Sequence, residues 1–150
     1  MWRTAIVSVL LLLCGYSAAA WLTRDFQVWT DEGARRHDVA LHPVPAPAVA
    51  VQGPGVTAAT LPALLAEGGD VHIVDFFYTR CLTVCRTLGG SFQQLQAALH
   101  AAAAAGQPSG VRLVSISVDG AHDDPAALTA YAGGLHAQPA LWQFVRVPDA

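Results

Sequence analysis

Charged side chains are scarce: eight Lys and Arg together with eleven Asp and Glu make up 13% of 150 residues, for a formal net charge of −3. A chain so balanced has no basic footprint with which to neutralise phosphates, which sets nucleic-acid binding aside. Cysteine is scarce too. Cys14, Cys81 and Cys85 are the three present, too few for a disulfide scaffold. Cys81 and Cys85 are separated by three residues, and so short a loop gains little from closure. The pair therefore reads as chemistry rather than as a staple. Length is limited as well, since 150 residues suffice for one ordinary domain but not for two.

Apolar residues are abundant, at 53%. Residues 5–22 carry no charge, and Ser8, Gly15, Tyr16 and Ser17 are among the few residues that interrupt the aliphatics. As a helix this run would be about 27 Å long, close to the roughly 30 Å hydrocarbon core of a bilayer. Arg3 precedes it, Arg24 and Asp25 end it, and Trp2 and Trp21 sit where an aromatic belt would lie. Two readings compete. The length and the flanking Trp residues favour an uncleaved anchor, whereas Ala18-Ala19-Ala20 offers a signal-peptide cleavage site. The anchor is preferred, and either reading exports the rest of the chain. Lipidation at Cys14 is disfavoured because Leu13 is too large for the residue before a lipidated cysteine, and a buried core helix is disfavoured by the terminal, charge-free position.

Residues 23–40 are mixed and polar. The segment His42-Pro43-Val44-Pro45-Ala46-Pro47 cannot hold helix and favours an extended conformation. The expected organisation is an anchor or signal over residues 1–24, a Pro-rich linker over 25–58 and an α/β domain over 59–150. His37 and His42 read as solvated linker histidines rather than as metal ligands.

The domain opens with a short helix over residues 60–67, with Thr60 as N-cap, Pro62 in the first turn and Gly68-Gly69 as the stop. Residues 71–78, VHIVDFFY, are apolar on both faces, as a buried parallel strand would be. Asp75 is the anomaly in that strand, because a buried carboxylate needs a partner. Thr79-Arg80-Cys81 comes next. Beyond Cys85, Leu88, Phe92, Leu95 and Leu99 recur at helical spacing toward an Ala run and Gly106. Cys81 is thus expected at the strand-to-helix turn and Cys85 in the first helical turn, where Leu88 and its apolar neighbours should enclose it more fully. Strands over 111–118 and 142–147 enclose a helix capped by Asp124 with Pro125 at its first position, ending at Gly133-Gly134. Alternating elements of this kind imply a parallel α/β sheet.

Residues four apart on a helix share a face, so the sulfurs of Cys81 and Cys85 can converge. The helix N-terminus, with Arg80 and Arg86 close by, should favour thiolate, the form that binds metal or attacks disulfides. Soft thiolates at this spacing suit Cu(I). Structural zinc would need four ligands, and there is no second Cys pair. Two active readings stay open, a copper-binding protein and a thiol-disulfide oxidoreductase. The three intervening residues favour metal, since thioredoxin-type oxidoreductases normally carry two. A third, inactive reading is a membrane-tethered interaction module with a vestigial dithiol.

Three stretches resemble the SCO/SenC family of copper proteins: Val74-Asp75-Phe76 running into Thr79-Arg80-Cys81 and Cys85; Leu113-Val114-Ser115-Ile116-Ser117-Val118-Asp119; and Asp123-Asp124-Pro125 through Tyr131-Ala132. The likeness covers roughly residues 70–148 and extends to the membrane-tethered layout. It implies a thioredoxin-like fold and delivery of copper to the copper-bearing subunit of cytochrome c oxidase, from the exported, periplasmic side of the cytoplasmic membrane. It further implies Cys81 and Cys85 as the two thiolate ligands. The family's third ligand is a histidine beyond the third strand. His72, His100, His122 and His136 do not occupy that position, and the chain is expected to be truncated before it. Leu82 and Gly120 stand where the family often has proline.

Overall fold

A computed structural model describes residues 2–68, 71–81, 83–107 and 109–148. It divides into two compact units, Met1–Pro45 and Ala46–Ala150.

In the first unit, helix α1 (Trp2–Leu22) buries none of its residues and is long and apolar enough to cross a membrane. By those criteria alone a signal sequence would serve equally well. Arg24, Asp25 and Phe26 then take positive φ in succession and turn the chain. Helix α2 (Asp31–Leu41) follows, its N-cap Thr30 accepting from the Gly33 N–H at 3.0 Å. This helix lies in the stretch that composition marks only as mixed and polar. Its exposed Glu32–Arg35 and Glu32–Arg36 pairs supply local support.

The second unit is a three-stranded parallel sheet in the order β1 (Val71–Phe77), β2 (Val111–Ser117), β3 (Trp142–Arg146). Val71 stands opposite Val111, and Leu113 opposite Trp142. Three further helices belong to this unit, α3 (Leu61–Ala66), α4 (Val84–Ala104) and α5 (Pro125–Gly134). Parallel neighbours need crossovers, and α4 and α5 provide them. Both pack on one face of the sheet. There Phe92 of α4 and Leu128 of α5 meet Phe77, Leu113, Trp142 and Phe144, with Leu88, Leu95 and Leu99 at the margin. The aromatic rings form a continuous layer, Phe92–Trp142 at 5.6 Å, Trp142–Phe144 at 4.9 Å and Phe77–Phe144 at 5.5 Å. The opposite face holds a second cluster in which Val114, Ile116 and Val145 pack against Leu61 and Leu64 of α3 and against Val51 and Ala58.

Residues 46–58, which composition groups with the linker, are part of this second core. Gln52 bridges Arg146 in antiparallel fashion, and a Cβ at Gly53 would lie 2.0 Å from the Phe144 carbonyl oxygen. Only glycine lets the backbones approach this closely.

The helix starts follow the expected local chemistry. Thr60 accepts from the Ala63 N–H, and Asp124 accepts from the Ala127 N–H at 2.7 Å with Pro125 next in line. Gly68 adopts φ +67, while Gly69 lies outside the described residues. Helix α5 runs through Gly133 and Gly134 rather than stopping at them, and its C-cap is Leu135. The strand β1 departs from expectation more sharply. Its apolar pattern predicts burial on both faces, yet Val71, Val74 and Phe76 are exposed, Phe76 at 63%. Full burial falls instead to β2, which has a neighbour on each side. Among the described residues β1 pairs with β2 alone, so its outer edge and one of its faces stay open.

Candidate metal and redox site

The strand β1 ends at Phe77, and the chain turns so that the Cys81 N–H reaches the Tyr78 carbonyl at 3.1 Å. Helix α4 begins at Val84 behind Thr83, whose side chain makes no cap hydrogen bond. The first-turn N–H groups of α4 are therefore left for other acceptors. One of them, Cys85 N–H, donates to Cys81 Sγ at 3.3 Å. Such a contact favours a sulfur carrying negative charge. The two cysteines are joined in a disulfide, with Cα atoms 5.7 Å apart. Cys81 thus sits at the turn and Cys85 in the first helical turn, as expected from spacing. Leu82, between them, lies outside the described residues.

Enclosure of the two thiols differs from expectation. Position in the helix predicts Cys85 as the more enclosed, but both residues are 8% exposed and both belong to the core cluster on the α4 face. Cys81 in the turn is thus as fully covered as Cys85 in the helix. Burial therefore gives no asymmetry between them, and the N–H contact at Cys81 does.

The arginines also divide differently. Arg80 donates to Asp119 at 2.7 Å, and Asp119 takes a second bond from His122 Nδ1 at 2.7 Å. The Arg80 bond, then the His122 bond, hold the Asp119 carboxyl below its usual range, and Arg80 is pushed up in return. The charge of Arg80 is thus largely shared with a carboxylate. Arg86 instead lines an open cleft of about 460 Å³ with Thr79, Tyr131 and Leu135.

Asp75 is 9% exposed, and its Oδ1 is buried with no hydrogen-bond partner among the described residues. Burial pushes its carboxyl above the usual range, opposed by a hydrogen bond with the Ser115 side chain. Ser115 Oγ in turn accepts from Trp142 Nε1 at 2.9 Å. Oδ1 of the carboxylate in this strand thus lacks, among the described residues, the partner that its burial demands.

Sequence reasoning gave no role to Asp123, which is fully buried and bonded to Thr79 and Ser117. In sequence it is one of two adjacent aspartates, and the helix-cap signal belongs to Asp124. A contact 44 residues away has no local signature. Of the histidines, His122 is engaged by Asp119, and His100 and His136 are exposed. Among the described residues no group of three or more His, Cys, Asp and Glu is arranged to hold a metal ion. The donor set brought together is the two sulfurs. Once reduced, they fit a soft monovalent ion of low coordination number and do not fit zinc.

A family model described as SCO1/SenC matches residues 66–140, half of the chain. The SCO1 protein homolog of Bacillus subtilis (strain 168) is 31% identical over 77 residues, 51% of this chain and 37% of the relative. The chain thus spans little more than a third of that relative's length. A solved structure of BsSco, described as a member of the Sco family of cytochrome c oxidase assembly proteins with a disulfide switch, matches 52% of this chain and 43% of its own at 28% identity, with a TM-score of 0.44. The α/β domain is thioredoxin-like, with an apolar helix at its N-terminal side.

Proposed function

Because the chain belongs to the SCO1/SenC family, we propose that it carries copper as cargo on Cys81 and Cys85 for the assembly of cytochrome c oxidase. The observation that carries this reading is the pair itself: two cysteines 5.7 Å apart at the start of α4, with the Cys85 N–H directed at Cys81 Sγ. Reduction of the disulfide takes two electrons and two protons and yields the dithiol. Binding of Cu(I) then displaces both thiol protons, leaving two thiolates on the ion. Burial of the pair shields that complex from water and oxidants. The receiving partner is the copper-bearing subunit of the oxidase. In this reading α1 anchors the protein in the cytoplasmic membrane, with residues 25–150 on the exported, periplasmic side.

A second reading, a thiol-disulfide oxidoreductase using the same pair, is favoured by one observation: Cys81 and Cys85 are bonded to each other here. One experiment separates the two. Cu(I) is titrated into the reduced full chain in detergent against a chromophoric chelator, beside Cys81→Ser and Cys85→Ser. We expect one Cu(I) per chain and loss of most affinity in either variant, because one thiolate cannot chelate. Reductase turnover on a disulfide substrate without Cu(I) uptake would favour the second reading.

A further inference from the structure

The loop between β2 and α5 reaches back to the two residues that precede Cys81, and it grips both through carboxylates. Asp119 holds the side chain of Arg80 at the surface. Asp123, 0% exposed, holds Thr79 from below. Its Oδ2 accepts from the Thr79 backbone N–H at 3.0 Å and from Ser117 Oγ at 2.6 Å, and its Oδ1 accepts from Thr79 Oγ1 at 2.6 Å. The Asp123 N–H is itself fixed on the Asp119 carbonyl at 2.9 Å.

A buried carboxylate is costly unless charge-assisted bonds satisfy it. Among the described residues Asp123 has no ion-pair partner, and neutral donors satisfy it instead. Two of its three bonds go to a single residue, and one of those is to backbone. Fixing that N–H constrains the main chain leading into Cys81, which anchoring a side chain alone would not do. An apolar pair at positions 79 and 123 could have packed the same loop without burying a charge. From this we infer that Asp123 is a positioning residue for the dithiol. By holding Thr79 it sets where Cys81 Sγ stands relative to Cys85 and to the α4 N-terminus. The inference rests on the reading of Cys81 and Cys85 as a working pair.

The test is the thiol-disulfide equilibrium of the full chain in detergent with glutathione. Two glutathione thiols reduce the protein disulfide, giving the protein dithiol and one glutathione disulfide. Asp123→Asn keeps the shape but turns an amide NH₂ toward donors, so the turn loosens and the effective concentration of one thiol at the other falls. The equilibrium should move toward the dithiol about tenfold, equivalent to about 30 mV for a two-electron couple. Thr79→Val, which removes only the hydroxyl bond, should move it less in the same direction, and Thr79→Ser should restore it. Val145→Ala, in the core cluster on the opposite face, serves as a destabilised control and should leave it unmoved. A folded Asp123→Asn with the wild-type equilibrium would overturn the inference, as would an equal shift in Val145→Ala. If Asp123→Asn does not fold, an unmoved Thr79→Val overturns it instead. Should the wild type take up no Cu(I), the copper reading fails, while this equilibrium still decides the role of Asp123.

Discussion

Helices α1 and α4 are each 21 residues long and place their apolar side chains in opposite ways. The apolar residues of α1 go all round its circumference, and none is buried within the protein. In α4 they follow one stripe, with Cys85 and Phe92 buried against the sheet and α5. The first arrangement is stable in hydrocarbon, where the helix satisfies its own backbone and needs no partner. The second is stable in water only while the sheet covers the stripe. What differs is the solvent that suits each helix, and Cys85 lies on the one that suits water, with Cys81 in the turn before it.

That contrast can be broken from either side. Phe92→Ala should have the largest effect. Removing a buried ring costs about 3–5 kcal/mol, a large part of the roughly 5–15 kcal/mol that holds a domain together. A melt of the full chain followed by near-ultraviolet circular dichroism should lose its cooperative transition, with the chain still in the membrane fraction. Leu12→Arg should do the reverse. A charge near the centre of a spanning helix costs about 2.5–3.5 kcal/mol, so the protein should leave the membrane fraction while Cu(I) uptake persists. If Phe92→Ala also released the protein from the membrane, the separation drawn between the two helices would be wrong.

A smaller effect is expected on the α4 face, where Asp75 is a buried carboxyl group. Its folded carboxyl is raised by burial, so the folded state keeps its proton over a range in which the unfolded chain has lost it. Stability is therefore highest below the unfolded value and falls as pH rises through the folded one. Asp75→Asn removes that dependence and keeps an acceptor for Ser115. It should melt higher than the wild type at neutral pH, with the gap closing in acid. A gap that widened in acid would mean that the carboxylate, not the acid, is the favoured form.

Much of this arrangement is legible in the residues. The caps Thr60 and Asp124, the stripe Leu88-Phe92-Leu95-Leu99 and the cores of the three strands follow from local rules that act within a turn or a pleat. Helix α2 and the run of α5 through Gly133-Gly134 are local departures, and the others lie where a distant residue decides. The exposure of Phe76 depends on which strands flank β1. The covering of Cys81 depends on a core whose other members come from three strands and two helices. The place of residues 46–58 in the second core depends on Val145 and Arg146, nearly the whole domain away. Asp123 is the sharpest case, since its adjacent twin Asp124 shows the recognisable cap pattern while Asp123 itself makes the long-range bonds.

If both sulfurs of Cys81 and Cys85 hold the copper, X-ray absorption at the copper K edge counts them directly. The reduced full chain loaded with one equivalent of Cu(I) should give a scattering shell of two sulfurs. Cys85→Ser loaded in the same way should give one sulfur and a light atom. A wild-type shell made of nitrogen or oxygen, or a sulfur count unchanged in Cys85→Ser, would rule out a copper site built from these two thiolates.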